Sequence, residues 1–130
     1  MVQSSVIHVV DDDAALRDSL GMLLECEGFA VRLYESASAF MHDAAPDATD
    51  CLLVDMYMPG MRGLELVERL RKDGMTIPVI IMTAVPDPWL KDAVQRIGAI
   101  LLEKPFRDGE LMSCVAQASG TGRDRRPADR

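Results

Sequence analysis

Five short apolar runs alternate along this chain with five longer stretches in which apolar residues recur every three or four positions. Ser5-Val6-Ile7-His8-Val9-Val10 is a continuous β-branched run, the pattern of a central strand covered on both faces. Leu16, Leu20, Leu23 and Leu24 then repeat at helical spacing until Gly28. Ala30 to Tyr34 predicts a short second strand, and Ser36 a cap for a helix that carries Phe40 and Met41 and stops before Pro46. Cys51 to Val54 is a third strand. After a turn at Pro59-Gly60, Leu64, Val67 and Leu70 mark a helix that Gly74 closes. Val79 to Met82 predicts the fourth strand, followed by a helix with Leu90, Ala93, Val94 and Ile97 inward and a stop at Gly98. Ile100 to Leu102 is the last strand, and Asp108 is placed to cap a final helix with Leu111, Val115 and Ala118 inward. Strict alternation of strand and helix predicts an α/β domain with a parallel sheet and helices on both faces.

Four of the five runs deliver a polar side chain at their C-terminal end: Asp11 and Asp12, then Asp55, then Thr83, then Lys104. If the runs are parallel neighbours, these ends share one sheet edge, where open α/β sheets bind ligands. Carboxylates crowded there repel one another, and a hard divalent cation relieves the strain.

Charge and composition narrow what such a site serves. At 130 residues the chain is the size of one domain, able to bury a core without disulfides or structural metals. A net charge of −7 argues against direct nucleic-acid binding. Residues 119–130 hold four arginines and two aspartates, so residues 1–118 carry about −9, and this tail reads as a flexible linker rather than part of the 1–118 domain. No apolar stretch approaches the ~20 residues that span a bilayer, and Met1 to Ser5 lack the features of a signal peptide, so a cytoplasmic location is expected. Cys26, Cys51 and Cys114, set among apolar neighbours, are expected as buried thiols, the nine methionines as core filler, and His8 as a packed residue.

The motifs resemble the receiver domain of two-component response regulators over roughly residues 5–118. The resemblance rests on Val9-Val10-Asp11-Asp12-Asp13, on Leu53 through Gly63 with Asp55 and Met58-Pro59-Gly60 inside it, on Ile81-Met82-Thr83-Ala84, and on Glu103-Lys104-Pro105-Phe106. The second run is especially similar to the nitrogen-fixation branch. The resemblance implies a flavodoxin-like (βα)5 fold with strand order 2-1-3-4-5. It also implies that Asp55 accepts a phosphoryl group from a sensor histidine kinase or phosphotransfer protein. Mg²⁺ would be held by Asp12 directly, Asp11 through water, Asp55 and the backbone carbonyl of Tyr57. Lys104 and the Thr83 hydroxyl would hold phosphoryl oxygens, and the Lys104-Pro105 peptide is often cis in the family.

Blander readings stand beside these roles. Asp13 reads more simply as a helix cap, and Thr83 is the least specific member of the set. The receiver family usually carries an aromatic residue three positions before the lysine, where this chain has Leu101. The stretch from Gly98 to Lys104 is one residue short, so counting from the glycine points to Leu102 instead. Pro86 and Pro88 restrict the loop after Thr83, and Tyr57 stands beside the approach of a hydrolytic water. Trp89 reads equally as core or as an exposed contact.

Three rival functions differ in class. A phospho-aspartate phosphatase wants an acid two residues after its nucleophile, where Tyr57 stands. A flavin-binding domain wants a phosphate cradle where Asp11 and Asp12 stand. A pseudo-receiver would bind a partner without being phosphorylated, a reading that Leu101 keeps open. The expectation is a regulatory domain with no enzyme activity beyond its own phosphorylation and dephosphorylation. By the same resemblance it would work through the fourth helix, fifth strand and fifth helix as output or dimer surface, with a C-terminal DNA-binding domain outside this chain.

Overall fold

In a computed structural model that describes residues 5–118, five strands and five helices alternate without interruption. They are β1 (Val6–Val10), α1 (Ala14–Cys26), β2 (Ala30–Tyr34), α2 (Ala37–Asp43), β3 (Cys51–Asp55), α3 (Gly63–Lys72), β4 (Val79–Thr83), α4 (Pro88–Arg96), β5 (Ile100–Glu103) and α5 (Asp108–Ala118). All pairings are parallel and the sheet order is β2-β1-β3-β4-β5. The tail read from residues 119–130 lies outside the described residues.

The sheet is sandwiched because its central strands have no polar face to offer water. Every residue of β3 and β4 is buried, as are the last four of β1. One face packs Val10, Leu52, Val54 and Ile81 against Phe40 of α2, Leu66, Val67 and Leu70 of α3, and Leu90 and Val94 of α4. The other packs Ile7, Val9, Leu53, Ile80 and Met82 against Leu20 and Leu24 of α1 and Leu111 and Val115 of α5. At about 1.5–3 kcal/mol for each fully buried large side chain, these two layers are the main favourable term in folding. The edge strand β2 differs, since Tyr34 is its one buried residue.

Local signals explain most boundaries. Asp13 caps α1 by accepting from the Leu16 amide at 3.2 Å, and Ser36 caps α2 by accepting from the Ala39 amide at 3.0 Å. Gly28 follows α1 with φ +97°, a conformation that side-chain-bearing residues rarely adopt. Asp108 behaves otherwise than expected. It is the first residue of α5 rather than its cap, and the Glu110 carboxylate instead accepts from the Arg107 amide at 2.8 Å.

Two burial expectations, for the cysteines and for the methionines, need correction. Cys26 is exposed and Cys114 half-buried, and only Cys51 is a fully buried thiol, with burial pushing its pKa up to about 12. Met22 and Met41 face solvent although Met56, Met58 and Met82 fill the core. Apolar residues tend inward, but single exposed ones are ordinary on a folded surface, so residue type alone does not place a methionine. Trp89 stands half-exposed at the start of α4.

Candidate functional site

Because β1, β3, β4 and β5 run parallel side by side, their C-terminal ends place Asp11, Asp12, Asp55, Thr83 and Lys104 along one edge, as the sequence pattern predicts. Carboxylate oxygens of Asp11, Asp12 and Asp55 lie within 4.8 Å of one another. Asp11 and Asp55 are buried and Asp12 is exposed. Lys104 reaches in from β5, with Nζ 2.7 Å from Asp55 Oδ1 and 3.9 Å from Asp11 Oδ2. Its peptide to Pro105 is cis.

One ammonium does not balance three carboxylates. Asp11 Oδ1 accepts from the Asp13 amide at 2.9 Å, but Asp11 Oδ2 is buried with no hydrogen-bond partner among the described residues. Burial raises the Asp11 pKa above the ordinary carboxylate range, and repulsion from Asp55 and Asp12 adds to the rise against the lowering effect of the Asp13 amide and Lys104. Asp55 is raised too, chiefly by burial, with Lys104 opposing and Asp12 and Asp13 adding. An orphaned, buried anionic oxygen beside two other carboxylates fits a hard cation bound through oxygen.

The surrounding backbone holds these groups at fixed heights. The Asp11 amide donates to the Tyr34 carbonyl at 3.1 Å, and Arg17 Nη1 of α1 donates to the Asp11 carbonyl at 2.7 Å. Beyond β3, the Gly63 amide donates to the Met56 carbonyl at 2.9 Å. A Cβ on Gly63 would lie 2.5 Å from the Asp55 carbonyl oxygen, so only glycine lets α3 start this close under Asp55. The Thr83 hydroxyl turns into its own loop, accepting from the Val85 amide at 3.0 Å. Tyr57 is exposed at the rim, with the Arg62 guanidinium 5.7 Å from its ring centroid.

Leu101 lies outside this cluster, and the register of β5 answers which leucine stands where. Leu101 pairs with Ile81 and packs, half-buried, on the α4 side, whereas Leu102 pairs with Met82 and is buried on the face of α1 and α5. Counting back from Lys104 is therefore the correct register for the α4-facing position. Counting forward from Gly98 fails because Ala99 still belongs to the turn, its amide bonded to the Val94 carbonyl.

The sequence did not single out Arg17 or the role of Gly63, and it left His8 as a packed residue. His8 is packed, but through two polar partners, Tyr34 and Asp50. A lone histidine inside an otherwise apolar strand was the available signal, because a buried imidazole requires partners.

A doubly wound parallel sheet with an acidic, lysine-bearing C-terminal edge defines a class, and the chain falls within it. Residues 7–116 match the response regulator receiver domain family, to which this chain belongs. The transcriptional regulatory protein FixJ of Bradyrhizobium diazoefficiens is 41% identical over 120 residues, covering 91% of this chain and 58% of FixJ. Nodulation protein W of the same organism is 35% identical over 127 residues, covering 97% of this chain and 56% of that protein. The solved structure of FixJ-N superposes with a TM-score of 0.80 at 32% identity, over 95% of this chain and 100% of its own. The similarity to the nitrogen-fixation branch read from the Asp55 motif is thus found in the relatives, and the chain spans a little over half the length of those two regulators. Among the described residues no helix is long and apolar enough to cross a membrane.

Proposed function

We propose that this domain is a Mg²⁺-dependent phosphoryl acceptor whose acceptor is Asp55. The observation that carries this reading is the unbalanced edge: three carboxylates, a single lysine, and a buried Asp11 oxygen with no hydrogen-bond partner. In the transfer, an Asp55 carboxylate oxygen attacks the phosphorus of a phosphohistidine on a sensor kinase or phosphotransfer protein. The P–N bond breaks, and its electron pair stays on the departing imidazole. Little covalent chemistry is asked of the acceptor, so catalysis is positioning and charge stabilisation. Mg²⁺, held by Asp11, Asp12, Asp55 and the Tyr57 carbonyl, would neutralise charge on the transferring group. Lys104, already 2.7 Å from Asp55, would exchange the carboxylate for a phosphoryl oxygen. Thr83 would turn its hydroxyl from the Val85 backbone to another phosphoryl oxygen.

That rotation is the step through which the site reaches the surface. The Thr83 hydroxyl and the β4–α4 loop share a hydrogen bond, so drawing the hydroxyl inward releases the loop at Val85. Leu101, on the α4 side of β5, is the switch candidate in the place an aromatic usually fills, and Pro86 and Pro88 restrict the same loop. We read the phosphorylation chemistry as retained and the coupling from Thr83 to Leu101 as altered. The output would act through α4, β5 and α5, as a dimer surface or toward a C-terminal DNA-binding domain of a longer cytoplasmic protein; a similar protein, FixJ, is named as a transcriptional regulatory protein. Reduction of the acyl phosphate with borohydride after acetyl phosphate treatment, followed by peptide mass mapping, tests the assignment. Modification at Asp55 supports it, and modification at Asp11, Asp12 or Asp13 refutes it.

A further inference from the structure

Behind the acidic edge, a second polar cluster is buried between β1, β2 and the segment before β3. The Tyr34 hydroxyl lies 2.9 Å from His8 Nδ1, and His8 Nε2 lies 2.9 Å from Asp50 Oδ2. Asp50 also accepts from the Val6 amide at 3.0 Å through Oδ1 and from the Asp47 amide at 3.0 Å through Oδ2. All three side chains are buried. With the proton on Nε2, the ring donates to Asp50 and accepts from the Tyr34 hydroxyl, so each side-chain polar atom of the chain has a partner. Phe40 of α2 closes the cluster by packing edge-on against both rings, at centroid distances of 5.7 Å and 5.2 Å.

We infer that the Tyr34–His8–Asp50 hydrogen-bond chain is a positioning device for Asp11, and this inference rests on the reading of the acidic edge as a cation site. Tyr34 belongs to both structures at once. Its side chain anchors in the buried chain, while its backbone carbonyl accepts the Asp11 amide. β2 is an edge strand whose first four residues are not buried, so the strand is fixed to the interior chiefly through Tyr34 at its C-terminal end, where the buried hydrogen-bond chain begins. Weakly specified strands slip in register, and a directional hydrogen bond restricts sliding that apolar packing tolerates. Fixing the Tyr34 ring fixes the Tyr34 carbonyl, and with it the amide of Asp11. Arg17 holds the carbonyl of Asp11, and the Asp13 amide holds its Oδ1. What remains without a hydrogen bond is Oδ2, 3.9 Å from Lys104 Nζ beside the acidic cluster. Tyr34, His8 and Asp50 are positioning residues; none of them lies in the acidic cluster itself.

The test measures Mg²⁺ binding by calorimetry, together with the Asp11 amide resonance, in the wild type, Tyr34→Phe and Phe40→Leu. Tyr34→Phe removes one hydroxyl and keeps the ring, and Phe40→Leu loosens packing around both rings while leaving every hydrogen bond in place. Tyr34→Phe is expected to weaken Mg²⁺ about tenfold, the low end for loss of a group that orients a metal ligand, and to move the Asp11 amide resonance. Phe40→Leu is expected to lower the melting temperature with Mg²⁺ affinity within about twofold of wild type, since affinity follows the orientation of the ligands rather than global stability. Adding His8→Gln to Tyr34→Phe should weaken binding little further, because both act through one chain. Wild-type affinity in Tyr34→Phe, or equal weakening in Phe40→Leu, overturns this inference alone. Absence of Mg²⁺ binding by the wild type overturns the cation reading and this inference with it.

Discussion

Two groups of buried acids sit within one strand's length of each other and are treated in opposite ways. Asp50 is surrounded by donors: His8, Val6 and Asp47 together hold its pKa below the usual carboxylate value, although burial alone pushes it up. Asp11 and Asp55 are raised, because burial and mutual repulsion outweigh Lys104 and the Asp13 amide. Burial is common to both regions, and satisfaction is not. An acid with all its partners supplied by the fold is part of the scaffold, whereas one left short of partners is held ready for something the chain does not itself contain.

Substitution should break the comparison most sharply at Asp50. Asp50→Ala leaves the Val6 and Asp47 amides and His8 Nε2 without an acceptor. The His8 contact is buried and the two amides part-buried, so at about 1–3 kcal/mol for a buried unsatisfied group a loss of ~3 kcal/mol is expected in denaturant unfolding. The acidic edge should respond in the opposite direction. Saturating Mg²⁺ is expected to stabilise the protein, by about 2.7 kcal/mol at a hundred times its dissociation constant, and a thermal melt with and without the ion reads this. In Mg²⁺-free buffer, Asp55→Asn is expected to stabilise by about 1 kcal/mol, because it removes one repelling charge and keeps an oxygen for Lys104. A loss of stability in that variant would place Asp55 with Asp50, as scaffold.

The same contrast has a signature in pH. Asp50, with its folded pKa lowered, contributes stability that is present above the unfolded carboxylate value and lost as pH falls through the folded one. Asp11 and Asp55, with folded pKa values raised, contribute stability that is present below the unfolded value and lost as pH rises through the folded ones. Without Mg²⁺, stability should therefore climb as the solution is acidified toward the unfolded carboxylate value of about pH 4 and fall below it. Mg²⁺ should flatten the first limb and leave the second.

Much of the acidic edge was legible in the sequence because each of its residues ends an apolar run, and parallel strands turn run ends into one place. The order of the strands was legible only through the family resemblance, since periodicity says nothing about which strand lies beside which. Of the Asp50 cluster only His8, a lone histidine inside an apolar strand, was legible as a residue in need of partners, and the partners themselves were not. Asp50 is one polar residue among several between Pro46 and Cys51, and nothing local shows that it meets His8 from 42 positions away. Leu101 and Leu102 were separable only by register, because either could serve a strand covered on both faces. Met22, Met41 and Cys26 misled because a residue type that suits a core does not require one.

The smallest expected effect concerns the rim. Tyr57 stands exposed two residues after Asp55, with Arg62 against its ring. If Asp55 is the phosphoryl acceptor we propose, a bulky ring there would narrow the approach of water to it. Tyr57→Asn is expected to speed loss of the phosphoryl group by about threefold, well under 1 kcal/mol of barrier. An unchanged rate, followed by mass spectrometry after removal of the phosphodonor, would show that the ring is only surface.

The central claim, that the acidic edge left short of partners is where the chain reacts and that Asp55 is its acceptor, is tested most directly by intact-mass measurement after incubation with acetyl phosphate. Wild type with Mg²⁺ should gain a single phosphoryl group, wild type with chelator should gain little, and Asp55→Asn should gain none. Equal gain by wild type and Asp55→Asn, or no gain by wild type with Mg²⁺, would contradict it.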